Sequence, residues 1–122
     1  MPSLQVSLRR FLAVEGVRTA ALIDIATGMI VRSVGRADPD LANTAVCVAE
    51  EARAARAALG PGSPAGDLDG ITAVTADRLQ LSKILRNEPG EGMLLFVEVD
   101  RSRSNVGLAA RRIDDLAPAV LA

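Results

Sequence analysis

The chain has 122 residues, 49% of them hydrophobic, and 14 basic against 15 acidic side chains give a formal net charge of −1. That is apolar material for one compact domain and not for two. With two aromatics (Phe11 and Phe96), one cysteine and no histidine, the composition argues against Ser-His-Asp or Cys-His catalysis, imidazole metal sites, an internal disulfide and ring stacks for single-stranded nucleic acid.

Leu4, Leu8, Phe11 and Leu12 recur at helical spacing behind Ser3, a suitable N-cap, and predict a short one-sided helix ending near Gly16. From Thr19 the period changes to two, with Ala21, Ile23 and Ile25 on one face and Ala20, Leu22 and Asp24 on the other. Ala26-Thr27-Gly28 then offers a tight turn before a second strand over 29–34, so the pair reads as a hairpin. Asp38-Pro39 predicts a helix start, because Asp can cap free N–H groups and Pro suits the first helical position; the helix runs to Leu59. The Gly- and Pro-rich stretch 60–66 ends it as a loop within one domain. Strands are expected over 70–76, 79–86 and 93–99, joined by Asp77-Arg78 and by a turn over 87–92. The last strand is apolar on both faces and belongs in the sheet centre, whereas Ile71 to Thr75 has the mild, β-branched character of an edge. A final helix starts near Ser104, turns Val106, Ala109, Ala110, Ile113, Leu116 and Ala117 inward, and stops around Pro118.

The middle helix carries two apolar stripes. Leu41, Ala45, Val48, Ala52 and Leu59 form one, and Ala42, Val46 and Ala49 form the other. Together they are wider than the ~100° stripe with which a helix meets its own sheet. The surplus, made of small side chains, predicts a homodimer through this helix, with Arg53 and Arg56 of one subunit placed to meet Glu50 and Glu51 of the other.

Candidate chemistry is sparse. Cys47 falls among Asn43, Glu50 and Glu51, neighbours that disfavour a thiolate. Lys83, the one lysine, is expected near a strand end or edge. Asp24 and Glu98, both in central strands, are the best candidates for paired carboxylates, without a histidine or metal-ligand set beside them. Pro89-Gly90-Glu91-Gly92 lacks phosphate-loop spacing and reads as a turn. Arg101 and Arg103 form a local basic cluster suited to an acidic partner, and Glu50 and Glu51 are the other candidate partner contacts. Arg9-Arg10 and Arg111-Arg112 fall on outer helix faces. No catalytic, cofactor-binding or metal residues are expected. The balanced charge argues against nucleic acid, and the lack of a signal-like N-terminus or a ~20-residue apolar run makes a soluble, cytoplasmic protein the expectation.

Two segments, residues 15–22 leading into the Thr27-Gly28 turn and Asn105-Val106-Gly107-Leu108-Ala109 opening the last helix, together with the order of elements, resemble the roadblock/LC7 family over nearly the whole chain. The resemblance is strongest to the small single-domain bacterial members whose genes often accompany a Ras-like GTPase. It implies an α+β fold, α-β-β-α-β-β-β-α, with a five-stranded antiparallel sheet of order 2-1-5-4-3. The long middle helix would cover one face and the terminal helices the other. It further implies a dimer that pairs the middle helices and the third strands, which places Ala42, Ala45, Val46, Ala49, Arg53 and Arg56 with Ile71, Ala73 and Thr75 at the interface. The implied role is adaptor or regulator of a Ras-like small GTPase, in some members stimulating hydrolysis. A small-ligand sensor, a scaffold without a GTPase and a cryptic enzyme using Asp24 or Glu98 are the competing readings.

Overall fold

The computed structural model describes residues 3–60, 68–85 and 92–120, so the 61–66 part of the predicted loop, Arg86 and most of the turn over 87–92 lie outside the described residues. The elements are α1 (Leu4–Arg9), β1 (Val17–Asp24), β2 (Ile30–Gly35), α2 (Leu41–Leu59), β3 (Gly70–Val74), β4 (Arg78–Leu85), β5 (Met93–Asp100) and α3 (Val106–Leu116). All five strands pair antiparallel in the order β2-β1-β5-β4-β3, the order the resemblance implies.

Period-two alternation sorts the sheet into two separate cores. Leu95, Val97 and Val99 of β5 join Ala20 and Leu22 of β1 beneath Leu8, Phe11, Ala109 and Ile113 of the terminal helices. Leu94 and Phe96 join Ala21 and Ile23 beneath Leu41, Ala45, Val48, Ala49 and Ala52 of α2. β5 is buried along its length, as its two-faced apolar pattern requires.

Helix boundaries follow local hydrogen bonds. The Ser3 hydroxyl accepts from the Val6 N–H at 3.2 Å, and α1 tightens into a 3-10 turn, Arg10–Ala13, before Gly16. α2 starts later than Asp38-Pro39 suggests. The Asp38 carboxylate accepts from the Asp40 N–H at 2.9 Å, which closes a side-chain turn over Pro39 and leaves Leu41 as the first helical residue. At the other end Leu59, expected inward, is 47% exposed. α3 is capped by Asn105 and not Ser104, the Asn105 Oδ1 accepting from the Leu108 N–H at 3.0 Å.

The β1–β2 hairpin forms around Gly28, and a bulge interrupts it. Leu22 opposes Arg32 and Ile23 opposes Ile30, so Val31 has no partner on β1. The extra residue lets Val34 join the core under the terminal helices while Ile30 packs on the α2 side.

Candidate interaction surfaces

The structure divides the proposed interface set on α2. Ala45 and Ala49 are fully buried against their own sheet, whereas Ala42 is exposed and Val46 is 42% exposed. Arg53 reaches back to its own chain: its Nη1 donates to the carbonyl oxygens of Ile25 at 2.5 Å and Ala26 at 3.4 Å, at the end of β1. Beside it, Gly28 sits at φ +77, and a Cβ there would fall 2.9 Å from the Val46 Cα. Val46 and Arg53 therefore face the β1–β2 turn. Thr44, on the opposite flank by helical rotation, lines a cavity of about 270 Å³ with Arg78 of β4. Glu51 and Ala55 follow Thr44 along that flank by the same rotation, turned away from the β1–β2 turn. Arg56 is half-buried and engaged, and Glu50 and Glu51 are exposed.

Among the described residues β3 is the last strand at one end of the sheet, paired on one side alone. The Thr75 N–H donates to the Arg78 carbonyl at 2.9 Å and the Ile84 N–H to the Asp69 carbonyl at 2.8 Å, which sets the phase of the ladder. Ile71, Ala73 and Thr75 thus turn their backbone groups to β4, and Gly70, Thr72 and Val74 turn theirs outward. Ile71 and Ala73 are half-buried, while Val74 is 59% exposed. Thr75 belongs to the turn. Its hydroxyl donates to the Asp77 carboxylate at 3.0 Å and accepts from the Arg78 N–H at 3.0 Å, and its carbonyl accepts from Arg101 Nη1 at 2.6 Å. Arg101 is thereby tied to the end of the edge strand.

Asp24 and Glu98 are not a pair. Asp24 opposes Met93 on β5, whereas Glu98 opposes Thr19, five residues back along β1 and so about 17 Å away at ~3.4 Å per residue. Asp24 accepts from the Thr27 hydroxyl at 2.8 Å, and the buried Glu98 lies 3.5 Å from both Arg78 Nη1 and Gln80 Nε2. The expected acid-base pair is thus separated by strand register. Lys83 stays on the face of the terminal helices, where its ammonium pairs with Asp114 of α3 at 2.7 Å. Cys47 is exposed. No group of three or more metal-ligating side chains occurs among the described residues, and none of their helices is long and apolar enough to cross a membrane.

A second cavity, of about 330 Å³, opens on the other side of the same sheet end and is lined by Arg18, Arg36, Arg103, Glu15 and Asp100 among others. Arg18 and Arg36 also line the cavity at Thr44 and so form a wall common to both. The Asp100 carboxyl is held below its ordinary range, chiefly because the Ser102 hydroxyl and N–H both donate to it, with Arg18 and Arg103 adding to the effect. Both cavities carry charged side chains, unlike the closed apolar pocket that a small-ligand sensor would need. Arg18 and Arg36 were not distinguishable in the sequence, where arginine is the dominant base throughout. The glycine at position 35 was the available signal.

Element order, sheet order and layering together define the roadblock/LC7 fold. No protein-family model matches the sequence, and no curated protein is similar to it at a significant level; the likeness is to solved structures. The roadblock/LC7 domain from Streptomyces avermitilis superposes with a TM-score of 0.75 at 18% identity, over 98% of this chain and 95% of that one. The gliding protein MglB from Thermus thermophilus gives 0.72 at 22% identity, over 96% and 87%. An MglB structure with a tetrameric arrangement gives 0.71 at 22% identity, over 96% and 86%.

Proposed function

We propose that the chain is a non-enzymatic roadblock/LC7 homodimer that serves as adaptor or regulator of a Ras-like small GTPase in the cytoplasm. The observation that carries this reading is the near-complete superposition on MglB and roadblock domains, joined to an edge strand that is paired on one side alone among the described residues. From Gly70 to Val74 that edge has no charged residue and no proline, the devices by which exposed edges avoid pairing.

The outward groups are self-complementary. A twofold axis through Thr72 opposes Gly70 of each copy with Val74 of the other and Thr72 with itself, so each outward N–H meets a carbonyl across the axis. The helix surface beside that edge is the flank of Thr44, Glu51 and Ala55, and the proposed interface is shifted there from the Ala42, Val46 and Arg53 row. Ile71 and Ala73 remain part of it as the non-hydrogen-bonded pair that the same axis opposes across the seam, while Thr75 and Arg101 brace its end.

Analytical ultracentrifugation tests the dimer: the native chain sediments as a dimer or a higher assembly, and Thr72→Pro, which removes an outward N–H, shifts it to monomer with the circular dichroism spectrum retained. A native monomer at all concentrations sinks the reading. Binding of the GTPase encoded beside this chain, in its GDP and GTP-analogue states, tests the partner; no binding in either state removes it.

A further inference from the structure

The β1–β2 hairpin brings two like charges together at its open end. The Arg36 N–H donates to the Arg18 carbonyl at 2.9 Å. This approach depends on Gly35, which adopts φ +107 and whose Cβ, if it had one, would overlap the same carbonyl oxygen. Residues opposed through such a bond project their side chains to one face, and like charges opposed across a ladder repel.

Arg18 and Arg36 share the roughly 330 Å³ cavity with Arg103, supplied by the turn after β5. Arg78 pairs with Asp77 and Glu98, and Lys83 with Asp114, whereas among the described residues no carboxylate oxygen lies within ion-pair distance of these three guanidinium groups. The Asp100 carboxylate on the same wall accepts through Oδ1 from both the N–H and the hydroxyl of Ser102, and its charge is felt by Arg18 and Arg103 without a close ion pair to either. Glu15 is the other carboxylate on the wall. The fold thus spends a glycine on setting three arginines around a wall that holds two carboxylates, Asp100 and Glu15, so the cleft keeps an excess of guanidinium groups over acids.

We infer that this cleft binds a short acidic segment of a partner protein, whose carboxylates take up the guanidinium forks of Arg18, Arg36 and Arg103. Planar guanidinium groups bind carboxylates through paired N–H donors, and three of them around one cavity suit two or more closely spaced Asp or Glu side chains. A polyanion such as nucleic acid is a poorer match, because a chain of net charge −1 offers it no long-range attraction. The inference stands independently of the GTPase reading. Failure to bind a GTPase leaves it intact, and failure of the test below leaves the dimer and the GTPase partner intact.

The test uses the full chain, labelled with nitrogen-15, and a blocked hexaglutamate peptide as probe. Saturable shifts of the backbone and Nε resonances of Arg18, Arg36 and Arg103 are expected, weakening as salt is raised. Arg18→Gln with Arg36→Gln should weaken the peptide roughly tenfold or more, with the thermal midpoint unchanged or raised because a repulsion is removed. If that pair does not fold, Arg36→Gln and Arg103→Gln singly, both at exposed positions, should each weaken binding. Absence of saturation to ~10 mM overturns the inference. So does equal binding of hexaglutamine, binding indifferent to the arginine variants, or binding of inorganic phosphate at the cleft in place of the peptide.

Discussion

Arg53 of α2 donates to the carbonyl oxygen of Ile25 at 2.5 Å and thereby fastens the helix to the β1–β2 turn. An arginine that continues an apolar helix stripe suggests a contact between subunits, yet here it closes a contact within one. Arg53→Met, which keeps the aliphatic stem, should cost about 1–2 kcal/mol in urea unfolding, because it leaves a strand-end carbonyl without its charged donor. The dissociation constant of the dimer should not change. A weakened dimer with intact stability would return Arg53 to the interface.

Gly28 and Gly60 both hold positive φ, at +77 and +82, but only Gly28 is crowded. A Cβ at Gly28 would meet the Val46 Cα at 2.9 Å, whereas nothing lies within 4 Å of one at Gly60. Gly60→Ala should therefore cost only backbone strain, about 1–2 kcal/mol, because φ +82 with ψ 140 is a region that side chains rarely enter. Gly28→Ala should cost more, about 2–3 kcal/mol, since helix backbone has to move. Paired thermal unfolding curves decide it, and equal losses would refute the close approach.

Lys83 and Asp114 join β4 to α3 at 2.7 Å, with side chains 30% and 57% exposed. A double-mutant cycle with Lys83→Met and Asp114→Asn should return a coupling under about 1 kcal/mol, reduced further in molar salt. A larger, salt-insensitive coupling would mean that the pair is more deeply shielded than its exposure indicates.

Asp100 titrates below its ordinary value, led by the Ser102 hydroxyl, then the Ser102 N–H, with Arg18 and Arg103 following. A group whose folded pKa is depressed stabilises the fold above its unfolded pKa, and that contribution is lost as the pH falls through the folded pKa. Carboxyl NMR titration should place Asp100 below the ordinary aspartate range, and Ser102→Ala should move it up. An unmoved titration in Ser102→Ala would show that another donor sets it.

Much of the architecture could be read from spacing alone. The doubly apolar run of β5 put it at the sheet centre, and the mild character of residues 71 to 75 put β3 at an edge, because strand position controls how many faces are buried. The bulge at Val31 was hidden, since a short strand of mixed polarity does not reveal where one extra residue enters. α2 starts two positions later than Asp38-Pro39 suggests because Asp38 has two uses, capping a helix or closing a side-chain turn, and the Asp40 N–H decides between them. Helical-wheel reasoning found the surplus apolar surface of α2 but not which flank faces which strand. That depended on Gly28 against Val46, a contact between segments that spacing cannot place. The carboxylates Asp24 and Glu98 failed as a pair for the same reason, since strand membership says nothing about register. Arg18 and Arg36 escaped because a charge at a strand end gains meaning only from the strand beside it.

β5 belongs to two cores that do not touch, its odd-numbered residues Leu95, Val97 and Val99 serving one and its even-numbered Leu94 and Phe96 the other. Losing a single residue from the middle of this strand would deliver every later side chain to the wrong layer at once, whereas exchanging one aliphatic residue for another disturbs a single layer locally. The strand therefore tolerates spelling changes better than a change in its length, and its residue count is a stricter constraint than the identity of any one residue within it.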